Sequence, residues 1–139
     1  MTKMNTISEH TALIYVMVMI SAADGSMSES ELRIIGELTK ALPSFKDFDH
    51  DRLLAICQEC AQILQEPDGA DAVLGLIKES LPEVLRETAY WVALEVALAD
   101  RRVALEELRV LDAIRRLLDI DKLTAAAIER GARAKYQVA

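Results

Sequence analysis

A chain of 139 residues, 52% hydrophobic and 28% charged, fits one globular domain over residues 1–139, and its 5 Gly and 3 Pro leave little room for extended disorder. A formal charge of −7 and an aromatic content of 4% exclude a nucleic-acid surface, which needs clustered Lys and Arg against phosphate or an aromatic stacking platform. An acidic surface suits cations, basic partner proteins or plain solubility.

No stretch alternates apolar and polar residues with period two, so no strand is expected. Apolar residues recur at helical spacing and mark about seven helices, an all-α bundle. The first covers 8–23. Its apolar part is too short to span a bilayer, and a counterpart later in the chain makes it part of the fold rather than a signal peptide. The second begins at Ser28, where Ser28 and Glu31 form a Ser-x-x-Glu capping box, and ends before Pro43. Gly36 in its middle costs about 1 kcal/mol relative to Ala and is expected to admit a close neighbouring helix.

The third helix starts after Asp49 and stops at the turn Pro67-Asp68-Gly69. Inside it, Cys57 and Cys60 form a C-x-x-C with no second Cys or His pair, and His10 and His50 stand apart from it and from each other. A structural zinc site needs four ligands and a redox pair belongs at a helix start, so these read as reduced core cysteines in a cytoplasmic protein. A fourth helix covers 70–80. Pro82 suits the first turn of a fifth that runs to 99, within which Glu95 interrupts the apolar run from Trp91 to Ala99 and reads as a helix-edge residue, the alternative being that it joins the repeated acids described below. The sixth covers 105–118, and Asp121 can cap the seventh.

Sliding the chain along itself until Asp24 lies on Asp100 matches residues 14–42 with 90–118 without a gap. Val16/Val92, Ala23/Ala99, Glu31/Glu107, Leu32/Leu108, Arg33/Arg109 and Leu42/Leu118 are then identical. Apolar matches are common between amphipathic helices. The run Ala-Asp, six intervening residues, then Glu-Leu-Arg is not, and it marks a duplicated helix–loop–helix unit.

Each unit sets an Asp beyond one helix and a Glu in the first turn of the next. Glu31, Ile35 and Leu38 share one stripe of their helix, as do Glu107, Leu111 and Ile114, so both glutamates are expected to face inward. A desolvated carboxylate must be hydrogen-bonded, paired or metal-bound. Three readings stay open: capping and structural pairing, a cation site, and a partner-docking surface. Ser28 and Gly25 of the first unit become Ala104 and Arg101 in the second while the acids persist, which capping alone does not explain. If Asp24, Glu31, Asp100 and Glu107 converge about a pseudo-twofold axis, an all-oxygen set of this kind suits a divalent cation, Ca2+ or Mg2+, rather than zinc.

The stretch Ala23-Asp24-Gly25-Ser26-Met27-Ser28-Glu29-Ser30-Glu31-Leu32, preceded by an apolar helix, and its second copy from Ala99-Asp100 to Glu107-Leu108, resemble the TerB-type tellurite-resistance domain. The resemblance covers about residues 10–135. It implies a bundle of about seven helices with acidic repeated loops, and a bacterial stress-response role tied to tolerance of tellurite and other toxic agents. It also implies protein partners in a metal-linked complex at the inner face of the membrane. Arg101-Arg102 stand where that pattern favours Gly.

The leading expectation is a non-enzymatic binding module of this type, cytoplasmic or peripheral at the inner membrane, and not transmembrane. Its rival is a scaffold or interaction domain with structural acids, including one that forms a homo-oligomer through exposed helix faces. An enzyme is the weakest reading: there is no His near the motif, no Gly-rich phosphate loop and no nucleophile elbow.

Overall fold

Seven α-helices carry the chain: α1 (Glu9–Ala22), α2 (Glu29–Ala41), α3 (Leu53–Leu64), α4 (Gly69–Ser80), α5 (Arg86–Ala97), α6 (Leu105–Leu117) and α7 (Lys122–Lys135). The computed structural model describes residues 7–23, 25, 27–99, 103 and 105–139, and among them there is no strand. Short 3-10 turns stand at Pro43–Phe45, His50–Arg52 and Glu83–Leu85.

The helix starts follow their caps. Ser8 Oγ accepts the Thr11 N–H at 3.1 Å ahead of α1, and Asp121 Oδ1 accepts that of Thr124 at 2.9 Å ahead of α7. Ser28 opens α2 with both halves of the capping box in place. The fifth helix departs from expectation. Pro82 is extended (φ −61°, ψ 146°) and leads a 3-10 turn closed by Leu85 N–H to the Pro82 carbonyl at 2.9 Å, so α5 begins only at Arg86. At its far end Ala99 N–H reaches the Val96 carbonyl at 3.1 Å, and the helix tightens into a turn after Ala97 instead of running on.

Every residue from 12 to 21 in α1 is buried, which makes α1 the central rod. Its one polar side chain there, Ser21, donates to the Met17 carbonyl at 3.1 Å. The second rod is α5, which packs along α1; α3 and α4 flank α1, and α7 lies on α5. The remaining pair lies on both rods: α2 packs against α5 and, less, α1, and α6 against α1 and α5 alike. Each second helix thus meets the first helix of both hairpins.

Two glycine assignments change places. A Cβ on Gly36 would meet nothing within 4 Å, so no helix approaches closely there, contrary to expectation. Gly69, read as a turn residue, is the buried first residue of α4, where a Cβ would collide with the Ile63 carbonyl. The histidines are not isolated either. His10 stacks on Phe45 at 5.6 Å, and Phe48 lies edge-on to both His10 and His50 at 5.5 and 5.3 Å. His50 Nε2 also donates to the Thr39 carbonyl at 2.8 Å, tying the segment before α3 to the end of α2.

Candidate functional site

The two repeated glutamates arrive where helical spacing puts them. Glu31 is 3% exposed at the head of a stripe continued by buried Ile35 and Leu38; Glu107 is 3% exposed above buried Leu111 and Ile114. Glu31 Oε1 accepts the Ser28 N–H at 2.8 Å while the Glu31 N–H donates to Ser28 Oγ at 3.0 Å, so part of its desolvation is offset by the cap. The side-chain acceptor of that box is missing from the second unit, where alanine holds position 104, yet Glu107 is buried as deeply. Arg33 and Arg109, the repeated arginines, are exposed, on the opposite side of their helices from the glutamates.

Asp24 and Asp100, the other two acids of the predicted set, lie outside the described residues. Between Asp24 and the start of α2, Gly25 takes φ +103°, a left-handed conformation that glycine adopts without a Cβ clash. Among the described residues no group of three or more His, Cys, Asp or Glu could hold a metal ion. Glu31 and Glu107 themselves are hard oxygen donors withdrawn from water, the donor type that Ca2+ and Mg2+ take and soft metals do not.

A third carboxylate is buried more deeply than either, and helical spacing misplaced it. Glu95, expected at a helix edge, is 1% exposed. Its Oε1 accepts from Lys135 Nζ at 2.6 Å and from Tyr136 Oη at 2.9 Å, both from the end of α7, whereas Oε2 is buried with no hydrogen-bond partner among the described residues. Lys135 Nζ also lies 5.4 Å from the Trp91 ring centroid and 5.3 Å from that of Tyr136. Burial first, then the bond to Glu95 and the charges of Glu95 and Glu37, push the Tyr136 phenol up to about 12, so it stays a donor at neutral pH. A second tie, Tyr90 Oη to Glu129 Oε2 at 2.6 Å, also joins α5 to α7, beside a cavity of about 230 Å³ between α5, α6 and α7.

The cysteines carry no comparable chemistry. Burial pushes the Cys57 thiol up to about 11 and the Cys60 thiol up to about 12, so both stay protonated and unreactive at neutral pH.

A family model described as tellurite resistance protein TerB matches residues 10–130. The chain belongs to the TerB family. The match spans both hairpins of this TerB domain, so the duplication and the buried glutamates fall inside it and the protein is a tellurite-resistance-related domain. No curated protein and no solved structure matches the chain at a significant level. Among the described residues of the TerB domain, no helix is long and apolar enough to cross a membrane.

Proposed function

We propose that this TerB domain is a non-enzymatic binding module of the bacterial response to tellurite and related stress, and that it takes a divalent cation, Ca2+ or Mg2+, through Glu31 and Glu107 together with Asp24 and Asp100. The observation that carries the reading is that the duplication repeats a buried glutamate, Glu31 and Glu107, each at the head of an apolar stripe in the first turn of its helix. A divalent cation shared between two duplicated hairpins would take hard carboxylate oxygens from both. The packing of α2 and α6 against the α1 and α5 rods supports this reading, since both glutamates stand on helices that meet the same pair. In this reading the domain works in the cytoplasm or at the inner face of the membrane, in a complex with protein partners.

Calorimetry tests it. Titration with Ca2+, Mg2+ and Mn2+ gives saturable heat for the wild type and none for Glu31→Gln/Glu107→Gln. A wild type silent to all three at millimolar concentrations removes the cation. The capping box at Ser28 favours a second reading, a scaffold domain whose acids are structural. That reading expects the double variant to lose melting temperature while no ligand response changes.

A further inference from the structure

We propose that Trp91 and Glu95 form a receptor for a primary ammonium group, and that Lys135 of the same chain fills it as an internal occupant. The two residues stand four apart on α5 and so present a ring and a carboxylate on one face of the helix. An aromatic face beside a carboxylate selects an alkylammonium: the ring quadrupole attracts the charge and the carboxylate accepts its N–H groups. Lys135 Nζ uses both, 2.6 Å from Glu95 Oε1 and 5.4 Å from the Trp91 centroid, and Tyr136 closes a second ring over it at 5.3 Å.

Two observations mark this occupant as exchangeable. The Lys135 side chain is 53% exposed and belongs to the last residue of α7, so it enters from the open side rather than from within the core. Glu95, in contrast, is 1% exposed, and its Oε2 is left without a partner among the described residues. Lys135, tethered to α7, is held at Oε1 and leaves Oε2 unanswered, whereas an ammonium free of that tether can approach from another angle. The acid is also a departure from the duplication: in the register that sets Asp24 on Asp100, Glu95 falls on Met19 and Trp91 on Tyr15. The net charge of −7 draws cationic ligands towards the molecule. Neither Glu31 nor Glu107 takes part, so the inference stands apart from the cation reading.

The ligand chemistry is a primary alkylammonium, carried by a lysine side chain of a partner protein or by a free polyamine. Trp91 is the chain's one tryptophan, so its emission reports on this site. In Lys135→Ala, n-butylammonium, spermidine and an acetyl-lysyl-amide peptide each change that emission saturably, at concentrations about tenfold below those the wild type needs. Lys135→Ala/Glu95→Gln gives no response. Tighter binding of the lysyl peptide than of spermidine identifies a protein source, and the reverse identifies a polyamine. An emission unmoved in folded Lys135→Ala overturns the proposal, as does an equal response in wild type and variant. If Lys135→Ala loses its helical circular dichroism, recovery of helicity on adding n-butylammonium supports the receptor and failure to recover overturns it.

Discussion

At Glu95 one carboxylate oxygen takes two contacts, from Lys135 and Tyr136, and the other takes none among the described residues. Removing the cation leaves a desolvated charge behind, whereas removing the acid leaves a lysine that is already half in water. The two truncations should therefore differ. Lys135→Ala is expected to lower stability by about 2 kcal/mol, while Glu95→Met, which installs the residue of the first hairpin at the matching position, is neutral or stabilising. Urea unfolding midpoints of the two variants check this, and an equal loss in both would sink it. Helical spacing reads a residue against its own helix, which is why Glu31 and Glu107 were legible and Glu95 was not. The first two belong to stripes completed within one helix by Ile35 and Leu38 or by Leu111 and Ile114. The partners of Glu95 lie 40 and 41 residues downstream, and nothing local announces them.

Helix boundaries were legible where a side chain writes them: Ser8, Ser28 and Asp121 all cap as their chemistry predicts. They were not where backbone geometry decides, as at Pro82, whose extended ψ starts a 3-10 turn in place of the helix. The end of α6, expected at 118 and found at Leu117, is closed by the backbone. Asp119 N–H reaches the Arg116 carbonyl and Ile120 N–H that of Arg115, both at 3.1 Å, a Schellman closure with Asp119 at φ 54°. A β-carbon is disfavoured there, so Asp119→Gly should raise stability by about 1 kcal/mol. Gly69→Ala should do the opposite and lower the melting temperature, because the collision is with the backbone of Ile63. Thermal melts of both variants decide. At the start of α7, the backbone N–H of Thr124 first, then its hydroxyl, hold the Asp121 carboxyl below the usual range. A depressed folded-state value means a contribution that is complete above the ordinary carboxylate range and lost as pH falls through the lowered one. The melting-temperature gap between wild type and Asp121→Asn should accordingly be widest at neutral pH and close on acidification; a gap independent of pH would refute it.

Across the whole molecule, stability concentrates in the α1–α5 pair. Ile14, wholly buried in the middle of α1, should cost about 2–5 kcal/mol when cut to Ala, through lost transfer energy plus the cavity left behind. Leu54, 60% exposed on α3, should cost no more than about 0.5 kcal/mol. Denaturant melts that rank the two the other way would contradict the central position of α1. That position was legible in the unbroken apolar run, but the neighbours of α2 and α6 were not, since amphipathic stripes say which face is covered and not by which helix.

Because α1 is wrapped on every side, it has a particular history during synthesis. A ribosome releases this apolar segment well before the partners it meets in α5 and α6, which follow only with residues 86–117. Through that interval α3 and α4 can shelter one flank, and the other stays uncovered, a binding target for holdase chaperones and a source of premature aggregation when translation stalls.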